Sequence, residues 1–125
     1  KKVSAFEQSA GMLKALNSAL CRSSNLSEVK TNIRNLLKNP VSREELSEFD
    51  GAVVNPPRSG SHSQCLELAE SSITTIVLVS CNPRTFARDA EILVKGFFTL
   101  DWVRVIDQFR WNHHVEVIAK FSRSL

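Results

Sequence analysis

Hydrophobic and polar positions follow one another along the chain in the alternation that is typical of successive strands and helices. The apolar run Ile76-Val77-Leu78-Val79 marks the most clearly buried strand, which is predicted over residues 73–79. Five further strands are predicted from the same pattern, over residues 3–6, 28–33, 50–54, 97–106 and 114–121. Helical spacing of apolar residues predicts helices over residues 12–21, 42–49, 62–71 and 84–95.

Capping residues predict where two of these helices begin. Ser42 is followed three residues later by Glu45, which is the spacing of a capping box. Asn82 is a good N-cap and Pro83 suits the first helical position, so a helix is expected to begin directly after them. Gly96 is expected to end that helix.

The order of the elements predicts an α/β fold. Strands that alternate with helices and carry continuous apolar runs are typical of a parallel sheet covered by helices on both faces. The last two predicted strands have no helix between them, so they are expected to pair antiparallel. No internal repeat is visible in the sequence.

Composition narrows the class of protein. A chain of 125 residues with 42% hydrophobic residues is predicted to form one globular domain. The formal net charge of +3 is mild evidence for a polyanionic partner such as RNA. We expect a cytoplasmic protein without a membrane partner, since no apolar stretch approaches the roughly 20 residues that span a bilayer.

The three cysteines are an odd number and show no paired spacing. Cys21, Cys65 and Cys81 are therefore expected to be reduced, with neither a disulfide framework nor a zinc site. Two adjacent histidines, His113 and His114, lack further ligands at a recognised spacing, so no metal site is predicted.

Cys81 lies where the buried strand ends and a helix begins. The positive end of the helix dipole, with Arg84 and Arg88 expected on the same first turn, favours the thiolate, which is the reactive form of cysteine. This placement makes Cys81 a candidate nucleophile. The alternative is a small buried hydrophobic residue, which is what most free cysteines are.

Polar or reactive residues follow four of the predicted strands. In parallel α/β sheets, ligands bind outside the carboxyl ends of the strands. The residues found there are Glu7, Asn35, Asn55 and Cys81. The sequence therefore predicts a site at this edge, although no glycine-rich loop for a phosphate or cofactor is present in the chain.

Four segments together resemble one enzyme family. They are Asn-Pro-Pro-Arg-Ser-Gly at 55–60, Val-Ser-Cys-Asn-Pro-Arg-Thr-Phe-Ala-Arg-Asp at 79–89, Asp-Gln-Phe at 107–109 and His-Val-Glu at 114–116. In order and spacing they resemble the C-terminal half of the S-adenosylmethionine-dependent RNA uracil-5-methyltransferases, which make 5-methyluridine in transfer and ribosomal RNA. The resemblance implies a Rossmann-like class I methyltransferase fold.

The resemblance also implies a mechanism. Uracil carbon 5 becomes a nucleophile only after a thiolate adds to carbon 6, and Cys81 matches the family's nucleophile. After methyl transfer a base must remove the carbon 5 proton, and Glu116 matches that base. Without the resemblance, Glu116 would be interpreted as an ordinary strand carboxylate.

The expected ligands of the site are S-adenosylmethionine and RNA. Glu7 matches the acid that such folds use on the cofactor ribose, while Asn35 and Asn55 stand where the family pattern has Asp. An amide lacks the negative charge that favours a cationic sulfonium. The residues expected to bind the RNA substrate are Arg58, Arg84, Arg88 and His114.

In the resembled fold, residues 3–7 correspond to the second strand. The chain, residues 1–125, is therefore expected to be a partial catalytic domain that lacks the first strand and its glycine-rich loop, and an isolated chain to be weakly active or inactive. The missing strand would lie between the strands at 3–6 and 50–54, a gap that favours self-association. Two alternatives are a non-catalytic RNA-binding or assembly remnant, and an amino-group methyltransferase of the Asn-Pro-Pro type.

Overall fold

The computed structural model describes residues 2–107 and 115–124. The chain divides into two compact units, an N-terminal unit of residues 1–39 and a C-terminal unit of residues 40–125. Each unit contains its own sheet.

The N-terminal unit is a strand–helix–strand motif. Strands β1 (Val3–Glu7) and β2 (Val29–Ile33) pair in parallel and in full register, and α1 (Ala10–Cys21) connects them. Ser9 caps α1 by accepting a hydrogen bond from the Met12 N–H at 3.3 Å. The predicted β-α-β succession of this region is confirmed.

The C-terminal unit contains a four-stranded sheet in the order β3-β4-β6-β5. Strands β3 and β4 are parallel, and β6 runs antiparallel to both β4 and β5, which confirms the predicted antiparallel C-terminal pair. The elements of this unit are α2 (Arg43–Leu46), β3 (Gly51–Val54), α3 (His62–Glu70), β4 (Thr75–Ser80), α4 (Pro83–Lys95), β5 (Thr99–Ile106) and β6 (Glu116–Ser122).

The predicted caps are present. Ser42 and Glu45 form the capping box of α2, and Asn82 caps α4 by accepting from the Arg84 N–H at 3.1 Å. The expectation that α2 reaches residue 49 is wrong, because the Ser47 hydroxyl donates to the Glu44 carbonyl at 2.6 Å and the chain leaves the helix in tight turns.

The core of the C-terminal unit lies on one face of its sheet. Ile76 and Leu78 of β4 are fully buried, whereas Val77 and Val79 between them are only half-buried. Helices α3 and α4 pack against each other, and their buried leucines belong to the same core as the sheet. The expectation of a sheet covered on both faces is therefore wrong for this unit, where Val53 on the other face is 76% exposed. We call this second side the open face.

No helix in the described part of the chain is both long and apolar enough to cross a membrane.

Candidate active site at the end of β4

Cys81 occupies the junction between β4 and α4. It is a half-buried free thiol that directly follows the last residue of the strand. The Ser80 hydroxyl accepts from the Asn82 N–H at 3.2 Å and donates to the Asn82 carbonyl at 3.1 Å. These two bonds bracket the sulfur-bearing residue, so the backbone at Cys81 is held on both sides.

The strand register brings Glu116 to this junction. The last pair of the β4–β6 ladder is Ser80 with Val117, so extending the register by one residue places Glu116 opposite Cys81. Residues directly opposite each other in antiparallel strands have Cβ atoms about 5 Å apart. Val117 is buried in the core and Glu116 is half-buried, as expected if the carboxylate points to the open face.

Asn55 follows β3 at the same edge of the sheet as Cys81. Because β3 and β4 are parallel and adjacent, their carboxyl ends meet there. Asn55 is exposed. It begins a loop, residues 55–61, that leads to α3.

The first turn of α4 holds this loop. The Arg58 carbonyl accepts from the Asn82 amide and from the Thr85 hydroxyl, each at 3.2 Å. A turn closed by a 2.9 Å bond from the Gly60 N–H to the Pro57 carbonyl shapes the loop itself. The backbone of Arg58 is thereby tied to the residue next to Cys81.

The two arginines of α4 differ in position. Arg84 is exposed in the first turn, but the expectation that Arg88 shares that turn is wrong, since α4 begins at Pro83. The Arg88 Nη2 donates to the Asp89 Oδ1 at 2.7 Å and to the Ser59 carbonyl at 3.0 Å. Arg88 therefore holds protein groups, and its contact with RNA stays a prediction.

Asp89 is a residue that sequence reasoning missed. It is 1% exposed and accepts from both the N–H and the hydroxyl of Ser61. Asp89 is the last residue of segment 79–89, which carries part of the family resemblance, but the sequence alone does not indicate its burial.

Cys65 is more deeply buried than Cys81. It is fully buried in α3, and its sulfur lies 3.3 Å from the Ser61 hydroxyl. Burial raises the pKa of the Cys65 thiol to about 11, so the thiol stays neutral near pH 7. Cys65 is thus a core residue.

Glu7 and Asn35 both lie in the N-terminal unit. Glu7 is the last residue of β1, and Asn35 lies two residues after the end of the parallel strand β2. The Glu7 Oε1 accepts from the Ser9 N–H at 2.9 Å. The Asn35 Oδ1 accepts from the N–H groups of Leu37 and Lys38 at 3.0 and 3.2 Å, so its oxygen already serves the local turn. Their cofactor contacts stay predictions.

His114, the remaining predicted substrate residue, lies outside the described residues together with 108–113. Within residues 2–107 and 115–124 no group of three or more His, Cys, Asp or Glu side chains could hold a metal ion.

The β-α-β motif and the mixed four-stranded sheet are those of an α/β domain. Residues 10–123 match the family described as tRNA (uracil-5-)-methyltransferase. The chain belongs to this family, which confirms the resemblance drawn from the sequence.

Curated relatives agree with this assignment. A protein of Caulobacter vibrioides named "uncharacterized RNA methyltransferase" is 39% identical over 98% of this chain and 29% of its own length. A similarly named protein of Agrobacterium fabrum is 42% identical with the same coverage. A 23S rRNA (uracil(1939)-C(5))-methyltransferase of Alteromonas naphthalenivorans is 40% identical over 60% of this chain. The chain thus spans about 29% of the length of the first two relatives.

Solved structures share the fold. The tRNA (uracil-54, C5)-methyltransferase of Pyrococcus abyssi, in complex with S-adenosyl-L-homocysteine, is 29% identical with a TM-score of 0.74, over 96% of this chain and 28% of that one. A putative methyltransferase of Thermoplasma acidophilum is 11% identical with a TM-score of 0.69, over 98% of this chain and 57% of that one, and supports the fold alone. The predicted fold class is therefore confirmed, and the family that the chain matches is the one that the sequence resembles.

Proposed function

We propose that the protein carrying this chain methylates carbon 5 of a uracil in RNA with S-adenosylmethionine, with Cys81 as nucleophile and Glu116 as base. The observation that carries this proposal is the β4–β6 ladder, whose last pair is Ser80 with Val117, because Cys81 and Glu116 are the residues next to that pair on the two chain segments. A nucleophile and a base on neighbouring strands can act on the same pyrimidine ring, one at carbon 6 and the other at carbon 5.

The reaction balances with these two side chains. The Cys81 thiolate would form a bond to carbon 6, which makes carbon 5 nucleophilic. Bound S-adenosylmethionine would supply the methyl group to carbon 5, with cleavage of its methyl–sulfur bond and release of a neutral thioether. Glu116 then takes the carbon 5 proton. The returning electron pair restores the carbon 5–carbon 6 double bond and expels the thiolate, so the enzyme regains both groups after Glu116 releases its proton.

The described residues fit the cofactor only in part. The Glu7 carboxylate, at the carboxyl end of β1, is of the type that holds ribose hydroxyls. Asn35 and Asn55 are proposed to contact the cofactor through amides, which contribute no negative charge to a site for a cation. We therefore expect the isolated chain to bind the cofactor weakly.

The RNA is proposed to approach through the exposed arginines beside Cys81. Arg58 and Arg84 are both exposed, and their backbones are joined to Asn82 by hydrogen bonds to its side chain. Phosphate contacts from such arginines position a nucleic acid without reading its sequence. The proposal names a uracil in RNA and no particular position.

The direct test uses RNA in which the target uracil carries fluorine at carbon 5, since fluorine cannot be removed as a proton is. The natural protein should form a covalent adduct that survives denaturation, and peptide mapping should place it on Cys81. Cys81→Ala should abolish the adduct, and Cys21→Ala, at an exposed position of α1, should leave it unchanged. Attachment through Cys21 or Cys65 would contradict the assignment.

A non-catalytic RNA-binding module is the second candidate. It is favoured by the amides at positions 35 and 55, where the family pattern has acids. This candidate predicts RNA binding without adduct formation. The family match disfavours the amino-group alternative, because the matched family acts on uracil.

A further inference from the structure

We propose that Asp89 is a positioning residue, which fixes the loop of residues 55–61 against α4 and so sets Arg58 and Asn55 relative to Cys81. The proposal rests on the proposed function, because it concerns the placement of a uracil beside that sulfur. Asp89 itself takes no part in the bond-making steps described above.

Asp89 is a fully paired buried acid. It is 1% exposed, although it belongs to a helix whose other charged residues face solvent. Its Oδ2 accepts from the Ser61 N–H at 2.6 Å and from the Ser61 hydroxyl at 3.0 Å. Its Oδ1 accepts from the Arg88 Nε and Nη2 at 2.9 and 2.7 Å. A carboxylate is acceptor-only, so a neutral amide of the same shape would turn one of these contacts into a clash of donors.

The loop backbone is held at successive points along one side of α4. Arg88 reaches the Ser59 carbonyl at 3.0 Å while it pairs with Asp89, and Thr85 reaches the Arg58 carbonyl one turn earlier. Residues three and four apart lie on the same side of a helix, which explains how 85, 88 and 89 act together. Asp89 is the buried end of this row, and it orients the Arg88 guanidinium.

Gly60 shows how closely the loop fits this row. Its φ is +81°, a conformation that residues with a side chain rarely adopt. A Cβ at this position would lie 2.5 Å from the Arg88 Nη2 and 2.7 Å from the Asp89 Oδ2. The loop can therefore approach the Arg88–Asp89 pair only where glycine stands.

The position of the loop matters because its first residue and its middle both border the proposed site. Asn55 follows β3 beside Cys81, and the Arg58 carbonyl is bonded to the residue after Cys81. A misplacement of 1 Å at a reacting group can cost about 100-fold in rate. Loosening the buried anchor should therefore slow the attack on uracil without removing any reacting group.

The test is single-turnover adduct formation by the natural protein with saturating 5-fluorouracil RNA. Asp89→Asn should lower the rate constant of adduct formation at least about tenfold while the amplitude stays near one adduct per folded molecule. Gly60→Ala should do the same from the loop side. The matched control is Glu91→Gln, which removes an exposed charge from the same helix and should leave the rate constant unchanged.

The rate constant and the amplitude of adduct formation together distinguish a positioning role of Asp89 from a purely stabilising one. If Asp89 only stabilises the fold, fewer molecules of Asp89→Asn are folded and the total amplitude falls. The molecules that remain folded then react at the wild-type rate constant. That result would overturn the proposal. Should Asp89→Asn fail to fold, Gly60→Ala decides, because it keeps both side chains of the Arg88–Asp89 pair and displaces the loop that they hold. A wild-type rate constant for Gly60→Ala also overturns the proposal. A wild-type protein that forms no adduct at Cys81 would instead overturn the proposed function.

Discussion

The two ends of the four-stranded sheet are both organised by arginines that donate to backbone carbonyls, yet they differ in what they leave accessible. At the Cys81 end, Arg88 ties a loop to α4, while Asn55 and Arg58 remain exposed. At the opposite end, Arg123 follows β6 and closes the unit. One end leaves residues beside Cys81 exposed, and at the other end a half-buried guanidinium donates to several carbonyls.

Arg123 is the clearer case of a structural arginine. Its guanidinium lies 4.1 Å from the centre of the Phe98 ring, and Phe98 is itself buried. Partial burial lowers the pKa of Arg123, but an arginine stays charged throughout the working range of pH. The carbonyls that it binds belong to Leu68, Ala69, Ser71, Ile73 and Gly96.

The Arg123 end contributes mainly to the stability of the unit, whereas the Cys81 end keeps candidate site residues accessible. The Ala69 and Gly96 carbonyls lie at the ends of α3 and α4, where a helix runs out of its own donors, and a single guanidinium nitrogen of Arg123 donates to both. At the Cys81 end, the loop is held by contacts to α4 while the open face beside it is not covered by α3 or α4. Substitutions at the two ends should therefore affect different measurements.

The largest expected effect on stability is at Arg123. Arg123→Met should lower the free energy of unfolding by roughly 3 kcal/mol or more, because several buried carbonyls lose a charged donor together. Chemical denaturation of the natural protein measures this. Arg104→Met is the matched control, since Arg104 stacks on Trp102 at 5.4 Å but lies on an exposed strand. Equal losses of unfolding free energy in the two variants would show that the carbonyl contacts of Arg123 do not stabilise the fold more than the exposed stacking of Arg104 does.

A smaller effect is expected at Asn55 in the Cys81 end. Asn55→Asp restores a negative charge near a cationic ligand, which is worth about 1 kcal/mol in a solvated site, or roughly a fivefold gain in affinity for S-adenosylmethionine. Calorimetry on the natural protein measures the dissociation constant. Asn17→Asp, at an exposed position of α1, is the control and should change nothing. An unchanged or weaker affinity for Asn55→Asp would show that this residue does not face the cofactor.

The smallest effect concerns the alkylation of Cys65, the buried thiol of α3. At pH 8, iodoacetamide should modify Cys21 in the folded chain and spare Cys65, because burial raises the pKa of Cys65 to about 11. The neutral thiol is favoured in the folded state, so its contribution to stability is present below pH 9.0 and is lost as the pH rises towards about 11. Peptide mass spectrometry gives the labelling order, and rapid labelling of Cys65 would contradict its burial.

The sequence was sufficient for most elements and for the position of Cys81 between β4 and α4. The cap at Asn82 and the capping box at Ser42 are local signals, and each was predicted from neighbouring residues alone. The candidate site residues Cys81 and Glu116 were assigned by resemblance. In the structure they come next to Ser80 and Val117, the last pair of the β4–β6 ladder. What could not be predicted depends on contacts between residues far apart in the chain.

Asp89 and Arg123 illustrate that limit. A charged residue is normally exposed, so neither position carries a local signal of burial. The partner of Asp89 lies 28 residues away, and the most distant carbonyl bound by Arg123 lies 55 residues away. The open face was missed for a related reason, because the apolar pattern of β4 does not reveal that α3 and α4 cover the same side.

The measurement that tests the central claim most directly is the mass of the covalent complex formed by Glu116→Gln in the natural protein with ordinary uracil-containing RNA and S-adenosylmethionine. If Glu116 is the base opposite Cys81, the thiolate still adds and the methyl group still transfers, but loss of the carbon 5 proton slows by about 100-fold or more. The account predicts a trapped adduct of enzyme with methylated RNA, joined through Cys81. Wild-type turnover by Glu116→Gln would show that the base lies elsewhere and would contradict the account.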